Sequence, residues 1–212
     1  TNSAGTAYGN DVTFTTSPIV VATLTTSTAS LVTLTTALSG GNITADGGGT
    51  ITARGVCWAT TADPTISNDK TTDGTGTGSF ISSLAGLLPG TTYHVRAYAT
   101  NSSGTAYGND VSFTTSPVGV ATLTTIAVTG VTLTTAVSGG NITANGGGAI
   151  TARGVCWATT ATPTISNFIT TDGTGNGSFT SNLSGLQAAT TYHVRAYATN
   201  SAGTAYGNEI IF

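Results

Sequence analysis

The chain has 212 residues, of which 6% are charged and 38% are hydrophobic, and its formal net charge is −3 at pH 7. Ordinary soluble domains contain roughly 25% charged residues, so this surface is expected to consist mainly of hydroxyl and amide groups. With five lysines and arginines in all, the chain is not expected to bind nucleic acid or an anionic membrane surface.

The chain repeats itself with a period of 99 residues. Residues 1–99 align with residues 100–198 without a gap, and 22 of the 99 pairs differ. This period is the size of a domain and exceeds the roughly 20 to 50 residues of solenoid repeats. The apolar residues can supply a core, so two folded domains are expected.

In five segments of the repeat, hydrophobic and polar residues alternate as they do in half-buried strands. In chain order they are residues 5–16, 30–44, 51–60, 77–87 and 91–101. In the second of them, Val32, Leu34 and Leu38 are predicted to share the inward face. No window of a dozen residues has a helical period, so the sequence predicts an all-β fold.

The segment LLPGTTYHVRAYATNSSG resembles the corner between strands E and F, and strand F itself, of a fibronectin type III domain. The residues that match this pattern are Leu87, Pro89, Gly90, Thr91 and Tyr93. The resemblance implies two tandem Ig-like β-sandwiches, with Tyr93 and Tyr192 as tyrosine-corner residues whose hydroxyls bond to nearby backbone. The second repeat has Ala188 and Ala189 in place of Pro and Gly, which leaves its turn type open.

A longer string shared by both repeats includes GNIT, TARGVCWAT, TTDGTG, TYHVRAYATNS and GTAYGN. It resembles the tandem fibronectin-III-like repeats of large secreted bacterial surface proteins, especially those of Bacteroidetes and their relatives. The resemblance implies an extracellular or cell-surface location and a role as stalk, spacer or adhesive module. No apolar run is long enough to span a membrane, and no signal peptide is recognised.

Residues 1–16 are predicted to be an orphan strand G, because GTAYGNDVTFTT occupies the last strand position of that family. Complete domains then follow at residues 17–115 and 116–212. Two explanations stay open: the strand belongs to a preceding domain of a longer array, or it is donated to another chain. In the second case Tyr8, Val12 and Phe14 fill the partner's groove, and head-to-tail contacts form a filament. The second domain already has its own strand G at residues 204–212, so a donor strand would displace it or add at another edge.

The outer face of the strands at 51–60 and 91–101 is the candidate binding surface. This placement assumes that Cys57 faces the core, which turns Val56 outward. The candidate residues of the two repeats are Arg54, Trp58, His94, Arg96, Tyr98, Arg153, Trp157, His193, Arg195 and Tyr197. One interpretation is a structural ladder of arginine over aromatic rings, or tryptophans turned into the core. The other is a patch that stacks on sugars or docks a protein.

No residues point to catalysis, a metal or a cofactor. Each repeat has one His on a strand face with no acid placed to orient it, so a hydrolytic triad is not expected. One His and one Cys per repeat are too few for zinc, and Asp73 and Asp172 lie in glycine-rich turns that lack the spaced acids of a calcium loop. Cys57 and Cys156 occupy equivalent positions and are expected to be free, buried thiols. A bridge between neighbouring chains is the alternative.

The sequence therefore predicts a non-enzymatic, extracellular structural repeat protein that forms a rod, stalk or filament. Its expected partners are copies of itself, head to tail, or further repeats of a longer array. The alternative function is a carbohydrate- or protein-binding module of a larger secreted enzyme or adhesin, with glycans as the partner.

Overall fold

The computed structural model describes all residues from Thr1 to Phe212 and contains β-strands and no helix. The chain forms two compact units. The first consists of Thr1–Val32, Thr36–Leu87 and Thr92–Thr114, and the second of Thr33–Thr35, Leu88–Thr91 and Thr115–Phe212. No helix that could cross a membrane is present. The domain limits given above, 17–115 and 116–212, stay a prediction.

Each unit contains eight strands. Those of the first unit are β1 (Thr23–Thr26), β2 (Ala37–Ala45), β3 (Ala53–Ala59), β4 (Asp69–Lys70), β5 (Gly78–Leu84), β6 (Thr92–Asn101), β7 (Gly104–Tyr107) and β8 (Val111–Thr114). Those of the second unit are β9 (Thr122–Thr129), β10 (Thr135–Ala144), β11 (Ala152–Ala158), β12 (Phe168–Ile169), β13 (Gly177–Ser184), β14 (His193–Asn200), β15 (Gly203–Tyr206) and β16 (Ile210–Ile211).

The strands of each unit form two antiparallel sheets. In the first unit one sheet has the order β1-β2-β5, and the other has the order β4-β3-β6-β7 with β8 also paired to β6. The second unit repeats this arrangement as β13-β10-β9 and as β12-β11-β14-β15 with β16 paired to β14. The predicted fold class, two Ig-like sandwiches, is confirmed.

The core of the first unit lies between its two sheets. Val56 and Val95, from β3 and β6, have no exposed surface and pack in one cluster with Ile43 and Leu84 of the other sheet. Burying a side chain of this size stabilises the fold by about 1.5 to 3 kcal/mol. The alternation predicted for β6 is confirmed, since its buried residues include Tyr93, Val95, Ala97 and Ala99.

Strand β2 does not turn Leu38 toward the core as predicted, whereas Val32, which precedes the strand, does pack against the core. Leu38 is half-buried on the outer side, and Ser39 points inward. The sheets approach closely here, because a β-carbon on Gly41 would lie 2.5 Å from the Cβ of Ala97. A β-carbon is therefore not accommodated at Gly41. The buried Ser39 hydroxyl donates a hydrogen bond to the Ser27 carbonyl at 3.0 Å.

The last strand of each unit is interrupted in the middle; we call β7 with β8, and β15 with β16, strand G of the respective unit. Between β7 and β8, the side-chain oxygen of Asn109 accepts a hydrogen bond from the Thr26 N–H at 3.1 Å. The Thr26 hydroxyl in turn accepts one from the Ala97 N–H at 3.0 Å. Strand G thereby connects β1 of one sheet to β6 of the other. Asn208, Thr125 and Ala196 make the same contacts in the second unit.

Residues 1–16 have the sequence of strand G but form no strand within this chain. A single bridge between Asn2 and Gly5 closes a tight turn, with the Asn2 N–H donating to the Gly5 carbonyl at 2.8 Å. Asn101 and Gly104 pair in the same way between β6 and β7. The turn forms from local hydrogen bonds, whereas residues 6–16 lack a neighbouring strand with which to pair.

The turn before β14 has the same backbone conformation as its counterpart in the first repeat, although the two sequences differ. Ala189 has a φ of 53°, close to the 60° of its counterpart Gly90. The left-handed residue of this turn is therefore retained in the second repeat. A residue with a β-carbon pays roughly 1 to 2 kcal/mol for that conformation, whereas glycine adopts it freely.

Ala189→Gly is expected to stabilise the second repeat by about 1 kcal/mol, because it removes this backbone strain. Both positions are exposed, so neither substitution changes core packing. Urea unfolding of the full chain measures the effect. The reverse change in the first repeat, Gly90→Ala, is the matched control and is expected to destabilise. A loss of stability in Ala189→Gly would contradict the strain argument.

Candidate functional site

The residues of the predicted binding surface lie on two different faces of the sheet. Strands β3 and β6 pair so that Trp58 lies opposite Val95, and Cys57 lies opposite Arg96. Residues directly opposite each other in an antiparallel pair share a face. Since Val95 is in the core, Trp58 faces inward, whereas Cys57 shares the outer face with Arg96.

The prediction of one shared outer face is therefore wrong for part of the set. The residues on the inward side are Arg54, Val56 and Trp58, with Arg153 and Trp157 in the second repeat. The assumption that failed concerns Cys57, which is fully buried but on the outer face. Its thiol donates to the carbonyl of the buried Pro64 at 3.3 Å, so a loop rather than the core covers it.

Arg96 lies on the outer face and binds strand G. Its guanidinium lies over the ring of Tyr107, 4.8 Å from the centroid. Its Nε donates to the Gly108 carbonyl at 2.9 Å, and a terminal nitrogen is 3.5 Å from the Asp63 carboxylate. Arg195 makes the equivalent contacts with Tyr206 and Gly207. These arginines therefore hold strand G against its neighbour.

The histidine beside each of these arginines also contacts strand G. His94 Nδ1 is 2.9 Å from an Asp110 carboxylate oxygen, which accepts a second hydrogen bond from the Asp63 N–H at 3.0 Å. In the second repeat His193 Nδ1 is 2.7 Å from Glu209. The predicted absence of an acid near each His is therefore wrong. The acid comes from strand G, which follows β6 or β14; we call these two strands the F strand of the respective unit.

Tyr98 and Tyr197, the remaining outer-face residues, are almost fully buried. The Tyr98 hydroxyl donates to the Thr71 carbonyl at 2.7 Å, and Tyr197 donates to the Thr170 carbonyl at the same distance. Each tyrosine fastens the segment that follows the short strand β4 or β12. The outer-face set thus stabilises the sandwich.

Arg54 holds the glycine-rich loop at residues 73–77. It lies over the Phe80 ring, 5.2 Å from the centroid, and its Nη1 donates to the carbonyls of Gly76 and Thr77. The Asp73 carboxylate accepts hydrogen bonds from the hydroxyls of Thr71 and Ser82. No group of three or more His, Cys, Asp or Glu side chains is arranged to bind a metal ion.

The two tryptophans differ in their surroundings. Trp157 is 6% exposed and stacks with Phe168, their ring centroids 5.8 Å apart. In the first repeat Asp69 occupies the Phe168 position, and Trp58 is half-buried. Sequence reasoning concentrated on residues shared by the repeats and overlooked Phe168. The replacement of DK by FI at 168–169 is the signal that could have found it.

The tyrosine-corner positions lie at the end of each sandwich. The Tyr192 hydroxyl accepts a hydrogen bond from the Gln187 N–H at 3.1 Å. The rings of Tyr192 and Phe212 stack with centroids 5.8 Å apart, and those of Tyr93 and Phe113 stack at 5.9 Å. The aromatic residue of strand G therefore packs on the corner tyrosine in both repeats.

The predicted donor residues are the most exposed large hydrophobic side chains of the chain. Tyr8, Val12 and Phe14 are 91%, 79% and 88% exposed. Their counterparts in strand G of the first repeat, Val111 and Phe113, pack against the core. The same sequence thus has its apolar side chains partly buried against a core in one place and exposed in another.

No family model and no curated protein matches the chain. Solved structures similar to it include a two-domain fibronectin type III segment of chicken tenascin, 16% identical, with a TM-score of 0.40 and coverage of 87% of this chain and 94% of that one. The FN1–FN3 domains of chicken CNTN1 are 15% identical, with a TM-score of 0.37 and coverage of 85% and 60%. The sensor domain of the anti-sigma factor RsgI4 of Pseudobacteroides cellulosolvens is 17% identical, with a TM-score of 0.35 and coverage of 47% and 99%.

The two cysteines are free and buried, as predicted. Burial raises the pKa of each thiol from an ordinary value of 9.0 to about 11. Because the thiolate is the reactive form, neither is expected to react with iodoacetamide at pH 8 in the folded chain. Both are expected to react in urea, as mass spectrometry would show. Rapid alkylation of the folded chain would contradict this buried placement. A cysteine that stays unmodified in urea without a reductant would instead indicate the alternative, a bridge between chains.

Acid is expected to weaken the second repeat through the pair His193–Glu209. The hydrogen bond from His193, with a second from the Thr162 N–H, holds the pKa of Glu209 below its ordinary value of 4.5. A depressed pKa in the folded state gives stability that is present above pH 4.5 and is lost as the pH falls through the folded pKa. Urea midpoints measured between pH 3 and 7 should therefore fall less steeply in acid for Glu209→Gln. If the urea midpoint of Glu209→Gln fell in acid as steeply as that of the unmodified chain, the role of this pair would be contradicted.

Proposed function

We propose that the chain is a non-enzymatic structural segment of an extracellular repeat protein that forms a rod, stalk or filament. In this proposal residues 1–16 are strand G of a further sandwich, whose other strands lie outside these 212 residues. The observation that carries the proposal is that this exposed segment contains the residues with which both described repeats attach their own strand G.

The correspondence extends to individual contacts. Tyr8 corresponds to Tyr107, which lies under Arg96, and Asn10 corresponds to Asn109, which accepts the backbone hydrogen bond from β1. Asp11 corresponds to Asp110, the partner of the F-strand histidine. A sandwich that accepts the segment must therefore supply an arginine for Tyr8, a histidine for Asp11 and an edge N–H for Asn10. Each type III-like repeat of this chain supplies that set.

The other polar groups support a structural role. All five lysines and arginines, and both histidines, bind strand G or a loop of their own repeat. The resemblance of the repeat string to bacterial surface proteins supports an extracellular location. In such an array, length would come from repetition of the sandwich, and the many identical faces would provide avidity.

Removing residues 203–212 from the full chain tests whether residues 1–16 act as a strand G. This deletion removes β15 and β16 and leaves β14 paired only with β11, so that the other edge of β14 has no partner. Residues 5–16 of the same or another copy are then expected to take the empty position, because they have the matching residues. The truncated chain should show a cooperative unfolding transition for the second repeat, with Trp157 buried, and sedimentation should reveal whether the donor came from another copy.

The control is the same truncation combined with Tyr8→Ser, Val12→Ser and Phe14→Ser. These three side chains are exposed in the full chain, so their loss does not weaken the first repeat. We expect the second repeat of this variant to remain unfolded. Equal behaviour of the two truncated chains would refute the assignment of residues 1–16 as a strand G.

A further inference from the structure

The second unit has an open depression that is larger than its counterpart in the first unit and is lined by different residues. It has a volume of about 690 Å³ and lies beside β12 and the turn before β14. Its main lining side chains are Thr159, Thr160, Asn167, Phe168, Gln187 and Tyr192. The corresponding depression of the first unit, of about 490 Å³, is lined by Asp69 at the Phe168 position.

Phe168 provides an exposed aromatic surface at this depression. Its side chain is 66% exposed. Stacking on Trp157, with a 22° angle between the ring planes, holds the phenylalanine ring in a defined orientation. The exposed ring is therefore a fixed apolar platform.

Polar groups without partners surround this platform. The side chains of Thr159, Thr160 and Gln187 make no hydrogen bond within the chain. The Asn167 side-chain oxygen accepts from the Thr164 N–H at 2.8 Å, which leaves its amide N–H groups as donors. Amide and hydroxyl groups that both donate and accept can therefore meet a ligand that carries several hydroxyls.

The lining of the depression contains no charged residue. The equivalent positions of the first repeat have Asp69 and, in place of Gln187, Leu88. The ring and the carboxamide thus occur together in the second repeat alone. A charged ligand would find no opposite charge here, and burying it unpaired is unfavourable.

We propose that this depression binds a neutral carbohydrate. A pyranose ring has an apolar C–H face, which would stack on Phe168, and a rim of hydroxyls, which would bond to Gln187, Asn167 and the two threonines. An extended peptide would instead be recognised by backbone pairing along the sheet edge, and β12 offers an edge of two residues for this. The site is independent of residues 1–16, so it adds a binding activity to a structural segment.

Affinity electrophoresis of the full chain tests the site. The gels would contain a mixed-linkage β-glucan, an arabinoxylan or a galactomannan, with polygalacturonate as the anionic comparison. At least one neutral polymer is expected to retard the chain, and titration with its tetrasaccharide should perturb the NMR signals of Thr160, Phe168 and Gln187. No retardation by any neutral polymer, or retardation by polygalacturonate alone, would overturn the proposal.

The first repeat supplies a matched set of variants. Phe168→Asp with Gln187→Leu installs residues that this fold already carries at the same positions, so folding should be preserved and thermal unfolding verifies it. Binding is expected to weaken by about tenfold or more. Two control variants should bind as the unmodified chain does. Ile169→Lys changes the residue opposite Cys156, on the other face of the sheet. Phe168→Tyr keeps the aromatic ring. Binding that the double variant retains would show that the depression is not the site.

Discussion

The attachment of strand G to the F strand is the contact on which each sandwich depends. In the first repeat it combines an arginine over Tyr107, the pair His94–Asp110 and the Asn109 hydrogen bond to β1. A cation–π contact alone is worth about 0.5 to 2 kcal/mol, depending on how far it is desolvated. Because Asn109 reaches the other sheet, losing strand G would also loosen the connection between the two sheets.

Two copies of one sequence have different structures in this chain, because only one of them has an F strand beside it. GTAYGNDV at residues 5–12 is repeated at residues 104–111. The second copy forms β7 and begins β8 beside β6, whereas the first forms no strand. The Asn2–Gly5 turn persists in both places, because its hydrogen bonds are local. Strand pairing is not local, so alternation alone does not produce it.

Much of the fold could be predicted from the sequence. The alternation in β6 predicted the face that lies in the core, although Tyr98 on the other face is buried as well. The repeat predicted a second copy of the whole arrangement. Alternation does not show which face of a strand is buried, however. The faces assigned to two residues from their side-chain chemistry were wrong. Leu38 was expected in the core, but β2 turns Ala37 and Ser39 inward and leaves Leu38 half-buried on the outer side. Cys57 also seemed a core residue, but its cover is the loop at Pro64.

The candidate sites were harder to predict because they depend on contacts between distant parts of the chain. The histidines and arginines of the F strand meet partners 11 to 16 residues later, on a strand that the sheet brings alongside. Phe168 was missed for a different reason. Its importance comes from its difference from the first repeat and from its stacking on Trp157, which no pattern along the strand reveals.

Amide hydrogen exchange of the dilute, monomeric full chain tests the role of strand G pairing most directly. Residues 11–16 and 110–115 differ by Thr13 against Ser112 alone, so the chain contains its own control. The account predicts slow exchange for Val111–Thr114 and exchange near the unfolded rate for residues 11–16. Similar protection of both segments in the monomer would contradict it, because the sequence would then form a protected strand without the F strand beside it.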